Sequence, residues 1–494
     1  MIGKINVGGG GLEINGIIES YTASAGGSIS AGDFVSYVND LAIGTDTQMS
    51  TTIVDTIEAV ALSRSTVLVT YRYYSSDHYI YGQVCTISGT TITTGTETAI
   101  CTRDGAYGDL VVLDSNKVMI TYYTASSPAQ LYARVCTIND TTITLGDEQR
   151  ITTALTLETG YNPIQLVVLS STAVLLKYGG GQSGSTSYTY YAVCRVCTIS
   201  GTTITTGNEQ SINNVNAYYS NVVALSSTKF FVTYRQYLSP YYTYGQVCTI
   251  SGTTITTGTE TQISTMATGE NYPVVLDGST VLVAYDKNNS IPYYTYGRVC
   301  TISGTTITKG TETQISATTS DPMQKFYVLD NFTVFVTFAN AAGNNDYIYG
   351  CVCQRTGTTF TTGSTTQISN VSASTNYPVV LDGSTVLVTY PHYSASDGGS
   401  SLYGRVCTIS GTTITKGTEK RLSTTAAFYD APVVSLSRGA FVYVSRQSGS
   451  PYRLYGVAWQ LKAKTTSSGR DAILGVANTS AAAGASADVY VPNV

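Results

Sequence analysis

The chain has 494 residues and a net charge of -5, and Lys and Arg form no basic stripe. Charged residues make up only 12% of it, about half the usual share, whereas 42% of its residues are hydrophobic. This composition supports a substantial core and argues against a nucleic-acid binder, which needs a basic surface. No apolar run reaches the length of a transmembrane helix.

The N-terminal segment, MIGKINVGGGG, lacks the apolar centre of a signal peptide, so the sequence predicts synthesis in the cytoplasm without signal-dependent secretion. Its glycine run, residues 8–11, is not followed by a helix signal and therefore does not read as a phosphate-binding loop.

A repeated segment organises most of the remaining chain. It reads YGQVCTISGTTITTGTET from Tyr81, and relatives begin at Tyr132, Val193, Tyr244, Tyr296, Tyr349, Tyr403 and, in truncated form, Tyr455. Successive repeat cysteines lie 51 to 61 residues apart. Such a period fits the four-stranded blade of a β-propeller.

Each period contains four strand signals, here termed a, b, c and d. In residues 272–316 they read YPVVL, STVLVAY, YTYGRVCTI and TTITKGTETQIS. Strands b and c are apolar on both faces, as expected of sheets that are covered on both sides. Strand d is rich in Thr and polar, as suits an outer edge. The sequence predicts an all-β fold with an eight-bladed propeller.

The last blade lacks its strand d, and the N-terminal part of the chain supplies a match. Residues 42–51, AIGTDTQMST, align with the strand-d pattern TTGTETQIST, with Gly44 and Gln48 in register. We therefore predict that residues 42–52 form the outer strand of blade eight and close the ring, a velcro closure that removes an open edge. The predicted propeller spans residues 42–464.

Seven of the ten cysteines recur once per repeat, at the same place in strand c. Equivalent positions in neighbouring blades are too far apart for a disulfide, so these residues are predicted to be buried thiols. The sequence has no pair of CxxC motifs with zinc spacing. No metal site and no cofactor are predicted.

The loops divide the predicted ring into two faces. The a–b and c–d turns are short and uniform, whereas the b–c loops and d–a connections vary and are rich in Tyr. Variable loops on a rigid scaffold are typical of binding sites, and Tyr with Ser, Gly and Asn is typical of adaptable binding surfaces. The candidate ligand-binding residues are Tyr74, His78, Tyr79, Tyr237, Tyr241, Tyr242, Tyr293, Tyr294, Tyr393 and Tyr452. The strand tyrosines Tyr244, Tyr296 and Tyr403 are predicted to pack between blades.

The two ends of the chain are not propeller repeats. Residues 1–41 and 465–494 contain short alternating segments such as DFVSYV and ADVYVP, which indicate strands. Neither end alone could bury a useful core, so together they are predicted to form a small β-barrel or sandwich. Strand order places both ends on the face opposite the Tyr-rich loops.

The end segments resemble the small β-domains of tailed-phage virion proteins. The matching residues are Ile29, Ala31, Gly32, Asp33, Val35, Gly475, Val476, Ala477, Thr479, Ser480, Ala483, Gly484 and Val489. This resemblance implies a virion-surface protein anchored to other virion proteins, of capsid or tail, by its terminal domain. The candidate anchoring residues are Ile29, Asp33, Val35, Val476 and Val489.

Catalytic signatures are sparse. No S-x-D-x-G-x-T-W box of sialidases occurs, and the only histidines are His78 and His392. Asp77 and Asp397 could form a carboxylate pair across the ring mouth, as glycoside hydrolysis requires. Recurring Asp277 and Asp382 fit turns, whereas Glu260 and Glu312 on strand d are predicted to be solvated. The sequence predicts that the chain is not an enzyme.

Three functional hypotheses follow. The first is a phage structural protein of the capsid-decoration or head-fibre type that presents its Tyr-rich face to a host-surface glycan or protein. The second is a tail-fibre receptor-binding protein, which the lack of a coiled or trimeric shaft sequence disfavours. The third is a lectin-like or glycoside-processing propeller that is not part of a virion. No nucleic-acid partner and no membrane insertion are expected, and the propeller as a passive spacer stays an alternative.

Overall fold

The computed structural model describes residues 2–6, 13–23, 34–74, 78–124, 129–155, 163–182, 189–212, 217–287, 294–316, 324–340, 346–394, 399–423, 432–437, 440–446, 453–465, 475–477 and 486–492. In residues 2–40 and 461–492 only the strands and their pairing are described. All regular elements in these ranges are β-strands. Among the described residues, no helix has the length and apolar character needed to cross a membrane.

The strands fall into an N-terminal group, eight blades and a C-terminal pair. The first group is β1 (Ile2–Asn6), β2 (Glu13–Ala23), β3 (Phe34–Ile43) and β4 (Thr47–Gln48). Blade one contains β5 (Val54–Ala61), β6 (Thr66–Tyr73), β7 (Ile80–Ser88), β8 (Thr91–Thr94) and β9 (Thr98–Cys101). Blade two contains β10 (Gly105–Asp114), β11 (Lys117–Thr124), β12 (Ala129–Asn139) and β13 (Thr142–Leu155). Blade three contains β14 (Gln165–Ser170), β15 (Ala173–Gln182), β16 (Thr189–Ser200), β17 (Thr203–Thr206) and β18 (Gln210–Ser211).

The remaining blades repeat this order. Blade four contains β19 (Ala217–Ser226), β20 (Lys229–Gln236), β21 (Thr243–Ser251), β22 (Thr254–Thr257) and β23 (Thr261–Gln262). Blade five contains β24 (Thr268–Asp277), β25 (Thr280–Lys287), β26 (Thr295–Ser303) and β27 (Thr306–Gln314). Blade six contains β28 (Lys325–Val328), β29 (Thr333–Asn340), β30 (Tyr347–Thr356), β31 (Thr359–Thr362) and β32 (Thr366–Gln367). Blade seven contains β33 (Tyr377–Asp382), β34 (Thr385–Ser394), β35 (Gly399–Ser410), β36 (Thr413–Lys416) and β37 (Lys420–Ser423). Blade eight contains β38 (Val433–Ser437), β39 (Ala440–Arg446) and β40 (Leu454–Thr465), and β41 (Gly475–Ala477) and β42 (Ser486–Pro492) follow.

Each blade is an antiparallel sheet in the order a, b, c, d, as the sequence predicts. The a strands of neighbouring blades contact one another, so they surround the centre of the ring. Among the described residues, an apolar cluster lies between each pair of neighbouring blades, including blades eight and one. Burial on both sides explains why strands b and c are apolar on both faces. The predicted all-β, eight-bladed propeller is confirmed.

The predicted ring closure is also confirmed. Thr47 and Gln48 pair with Gly456 and Tyr455 of β40, and the Gly44 amide donates to Ala458 O at 2.9 Å. Met49 then joins the apolar cluster between blades eight and one. The N-terminal segment thus supplies the outer strand that blade eight lacks.

All ten cysteines are buried free thiols, so the predicted burial of the seven repeat cysteines is confirmed. The strand tyrosines Tyr244, Tyr296 and Tyr403 pack against the apolar clusters between blades, also as predicted.

The prediction of a solvated Glu312 is wrong. Its side chain is only 13% exposed, and it accepts hydrogen bonds from the hydroxyl of Tyr285 and from both the amide and hydroxyl of Thr265 in blade four. Glu260 is exposed, as predicted, but accepts from the Tyr234 hydroxyl. A pattern of Thr with one recurring acid does not reveal such a bond, because its donors lie on other strands.

The chain ends add strands to the blade-eight sheet. β3 pairs with β40 and β41, β41 pairs with β42, and β42 pairs with β2. β3 and β40 run through the predicted boundaries at residues 41–42 and 464–465. The small terminal domain, with residues 1–41 and 465–494, stays a prediction.

Candidate functional site

The loop face, here defined as the face that carries the b–c loops and d–a connections, holds most of the predicted site residues. Tyr74 is 60% exposed and Tyr237 is 48% exposed. The half-buried members of the set are His78, Tyr79, Tyr241, Tyr242 and Tyr294. Tyr393 lies on β34, with its side chain outside the described part, and Tyr293 and Tyr452 lie outside the described residues.

An aromatic cluster of Tyr218, Tyr219, Tyr237 and Tyr241 forms at blade four. The Tyr237 ring lies 4.6 Å from that of Tyr218 and 6.0 Å from that of Tyr241, measured between centroids. Tyr219 and Tyr241 have φ angles of 53° and 60°, in the left-handed region that non-glycine residues avoid. Each such residue costs about 1–3 kcal/mol, so the surrounding contacts must hold it in place.

Thr268 of β24 holds the blade-four loop. Its amide and its hydroxyl both donate to Tyr241 O, at 2.9 and 3.1 Å. The Thr268 hydroxyl also shares a 2.8 Å hydrogen bond with the Thr243 hydroxyl at the start of β21. The b–c loop of blade four is therefore fixed by the first strand of blade five, which makes the aromatic cluster a preformed surface.

Arg235, at the end of β20, lies within the aromatic cluster. Its guanidinium carbon is 4.7 Å from the centre of the Tyr219 ring, 5.6 Å from that of Tyr241 and 5.8 Å from that of Tyr218. All three distances are within the range of cation–π attraction. The sequence analysis did not single out this residue.

A group of aromatic and charged side chains lies on the loop face at blade one. His78, with a φ angle of 45°, places Nδ1 3.1 Å from Oδ1 of Asp104, and the Tyr74 ring meets the His78 ring edge-on. Nearby, Arg72 donates Nε and Nη2 to the two carboxylate oxygens of Asp55, at 2.7 and 2.5 Å. This corner combines an exposed aromatic ring with a His–Asp pair. Tyr74 and His78, both candidate ligand-binding residues, thus lie in contact here.

A cavity of about 290 Å³ lies among the a strands of blades three to six. Gln165, Asn221 and Gln324 contribute polar groups to it, and Tyr272 and Tyr327 contribute rings. The amide groups of Gln165 and Asn221 also bond each other, at 3.1 Å from Nε2 to Oδ1, which joins blades three and four. These polar residues therefore line a space and tie neighbouring blades together.

Lys177 is a second residue that the sequence analysis missed. Other blades place Thr70, Thr121 or Thr233 at its position in strand b, whereas Lys177 is fully buried. Its ammonium donates to Pro163 O at 2.8 Å and to Ser220 O at 2.6 Å, and burial lowers its pKa to about 7. The signal was available in the sequence as a Lys where five of the seven other repeats have Thr.

The other residues singled out from the sequence lie away from the loop-face clusters or outside the described residues. Ile29, Asp33, Asp77 and Asp397 lie outside the described residues. Val35, Val476 and Val489 lie on β3, β41 and β42, which the backbone pairing brings into one sheet. His392 is in strand β34 rather than in a loop, with Nδ1 2.7 Å from Ser372 O. Within the described ranges, no group of three His, Cys, Asp or Glu residues could hold a metal ion.

No protein-family model and no curated protein sequence matches this chain. Solved structures of similar fold include the WD40 domain of SCAP from fission yeast, with 8% identity and a TM-score of 0.49, covering 85% of this chain and 98% of that one. The polysaccharide lyase Uly1 has 9% identity and a TM-score of 0.43, with coverage of 74% and 91%. The NanB sialidase from Streptococcus pneumoniae has 10% identity and a TM-score of 0.34, with coverage of 92% and 98%. Likeness at this level concerns the fold.

One functional prediction needs correction. The inference that the chain is not an enzyme is wrong as an exclusion, because structures of similar fold include two polysaccharide lyases and a sialidase. The absence of sialidase boxes removed one propeller chemistry and did not remove the others. None of the structures compared above is a phage virion protein, and the capsid-decoration role stays a prediction from the sequence.

Proposed function

We propose that this chain is a glycan-binding propeller that holds its ligand on the loop face, at the aromatic cluster of blade four. The exposed Tyr237 ring, flanked by Tyr218 and Tyr241, is the observation that carries this proposal. A tyrosine face offers a flat apolar surface to the C–H groups of a sugar ring, and its hydroxyl adds a hydrogen-bonding group at low entropy cost.

Preorganisation supports the proposal. Two tyrosines of the cluster have left-handed backbone, and Thr268 fixes one of them. A surface that is ordered before binding loses less entropy when the ligand binds. This lower cost matters most for a ligand such as a sugar, which gains little affinity from hydrophobic burial. The cavity of about 290 Å³ among the a strands is lined by Asn221, two residues beyond Tyr219 on β19.

The test is binding of the full chain to an immobilised panel of neutral and acidic oligosaccharides. Tyr237→Ala removes the exposed ring and is expected to weaken binding about tenfold, as loss of a central aromatic contact does. Phe332→Ala is the matched control, because Phe332 is 59% exposed but lies in an a–b turn on the opposite face. Wild-type protein that binds no glycan of the panel, or Tyr237→Ala that binds as wild type does, would overturn the proposal.

Glycan cleavage on the same face is a second candidate, and the His78–Asp104 pair favours it. Asp104 is positioned to orient the His78 ring through Nδ1, which leaves Nε2 available for proton transfer. The left-handed backbone at His78 is the kind of outlier that occurs at functional sites.

Release of new reducing ends from a panel of polysaccharides tests the second candidate. We expect His78→Gln to abolish the release and His392→Gln to preserve it. His392 lies on a different blade from His78, and its ring bonds a backbone carbonyl. Activity that survives in His78→Gln, or wild-type protein that releases no ends, would contradict this role without affecting the binding proposal.

Attachment to a phage particle is a separate proposal that rests on the resemblance of the end segments. It places the protein on the virion surface. Capsid or tail proteins would be the partners of the terminal strands that contain Val35, Val476 and Val489. A chain that ends after Thr465 should keep its ring and fail to join particles. Incorporation of the shortened chain at the normal level would contradict the anchoring role.

A further inference from the structure

Arg72 and Arg235 occupy the same position in their blades but have different neighbours. Each follows a buried tyrosine at the end of strand b. In blade one, the residue of strand a opposite Arg72 is Asp55, which forms an ion pair with it through both carboxylate oxygens. In blade four, the residue opposite Arg235 is Tyr218. An aromatic ring therefore replaces the carboxylate that neutralises the arginine.

The charge of Arg235 has no acidic partner among the described residues. Arg235 is only 9% exposed, and its buried Nε has no hydrogen-bond partner in the described part of the chain. Nη1 donates a long hydrogen bond, 3.4 Å, to Thr268 O. Glu270, two residues further along β24, instead accepts from the Tyr272 hydroxyl at 2.5 Å. A buried charge without a counter-ion is costly, so this arrangement is unusual for a purely structural arginine.

The rings around Arg235 offset only part of that cost. Three tyrosine rings within 6 Å supply cation–π attraction, but they do not neutralise the charge. A net positive charge remains beneath the exposed Tyr237 surface. Such a charge attracts an anion, and a guanidinium matches the two oxygens of a carboxylate in a planar, bidentate arrangement.

We propose that the glycan bound at the aromatic cluster is acidic, and that a sugar carboxylate serves as the counter-ion of Arg235. This inference rests on the proposed glycan-binding function and specifies its ligand class. Tyr237 provides the stacking surface, and Arg235 provides the charge that selects a uronic or sialic acid over a neutral sugar.

The adjoining cavity gives the ligand a direction. Tyr219, whose ring contacts Arg235, accepts hydrogen bonds at its carbonyl from Asn271 at 2.8 Å and Asn221 at 3.3 Å. Asn221 also lines the cavity. The cavity that Asn221 lines is therefore a candidate recess for the rest of a sugar chain whose carboxylate lies at Arg235.

The first test uses wild-type protein and pairs of oligosaccharides that differ only in charge, such as oligogalacturonides and their methyl esters, with sialylated, desialylated and sulfated glycans on the same surface. We expect the acid of a pair to bind at least about tenfold more tightly than its neutral form, and the preference to fall with added salt. Equal binding of acid and ester throughout would overturn the acidic-ligand inference while leaving glycan binding intact. Binding of sulfated glycans without carboxylated ones would likewise overturn the assignment to a carboxylate. Binding of no glycan at all would instead overturn the proposed function.

The second test restores the blade-one arrangement in blade four. Tyr218→Asp places a carboxylate opposite Arg235, as Asp55 is placed opposite Arg72, whereas Tyr218→Asn has nearly the same size without the charge. We expect Tyr218→Asp to lose the preference for acidic over neutral glycans and Tyr218→Asn to retain it, so the comparison isolates the charge from the loss of the ring.

Substitution of the arginine itself completes the design. Arg235→Gln should lower the ratio of acidic to neutral glycan affinity by about tenfold or more, and Arg235→Lys should retain part of that ratio. Arg103→Gln is the control, because Arg103 also lies over a ring, 4.7 Å from the centre of Tyr132, but is paired with Glu148. Unchanged selectivity in both Arg235→Gln and Tyr218→Asp would overturn the role of Arg235.

Discussion

The two faces of the ring are formed by the same four strands of each blade. Contacts on one face repeat from blade to blade, whereas contacts on the other vary. On the short-turn side, one contact recurs from blade to blade: a glycine of strand d packs against a threonine of the c–d turn in the next blade, as Gly95 does against Thr141 and Gly258 against Thr305. On the loop face, equivalent residues have different partners: Arg72 lies opposite Asp55, whereas Arg235 lies opposite Tyr218. Repeated contacts hold the ring together, and we propose that departures from the repeat mark the ligand-binding surface.

Gly44 tests the repeated face at the point where the ring closes. It contacts Thr90 of blade one and Ala458 of blade eight, and an added Cβ would clash with the Thr90 carbonyl and lie 2.9 Å from that of Ala458. We expect Gly44→Ala to lower the free energy of unfolding by about 3 kcal/mol, measured by chemical denaturation. Gly89→Ala is the control, because a Cβ there meets nothing within 4 Å, and its φ of 59° should cost about 1 kcal/mol. Equal losses in the two variants would contradict the closure contact.

Thiol labelling locates the damage in the same variant. Cys85 belongs to the cluster between blades eight and one, and burial raises the pKa of its thiol to about 12. The native thiol is therefore neutral and protected at pH 8. Gly44→Ala should increase the labelling rate of Cys85 more than tenfold, while Cys300, between blades four and five, changes less. Equal acceleration at both thiols would show that the ring opens as a whole.

Glu312 tests a smaller inter-blade contact and its pH dependence. Burial alone would raise the pKa of Glu312, but the hydrogen bonds from Thr265 and Tyr285, with Arg298 nearby, hold it below the usual value. Because the folded pKa is depressed, the stabilisation is present above the unfolded pKa of about 4.3 and is lost as the pH falls through the folded value. We expect Glu312→Gln to cost about 2 kcal/mol at pH 7 and less at pH 3. A difference from wild type that is as large at pH 3 as at pH 7 would show that the charge is not responsible.

The sequence could predict the repeated face because the repeat itself carries the information. Residues 42–51 match strand d, so the closure at Gly44 follows from an alignment within the chain. The tyrosines of the loop face were also predictable as a group. The residue opposite Arg235 was not predictable. Strand a of blade four contains an irregularity between Tyr218 and Asn221, which shifts its register against strand b. Counting along the sequence therefore does not identify the residue opposite the arginine.

The smallest expected effect is the one that separates the two faces most clearly. Tyr237 is 48% exposed, and its ring lies against those of Tyr218 and Tyr241 rather than in a core cluster, so its removal should open no cavity in the core. Tyr237→Ala should change the free energy of unfolding by less than about 0.5 kcal/mol, as surface substitutions generally do, while weakening glycan binding about tenfold. Chemical denaturation beside binding measurements on the same preparation gives both quantities. A loss of stability that matches the loss of binding would mean that the aromatic cluster supports the fold of blade four. A loss of binding alone would mean that this surface is kept for a ligand.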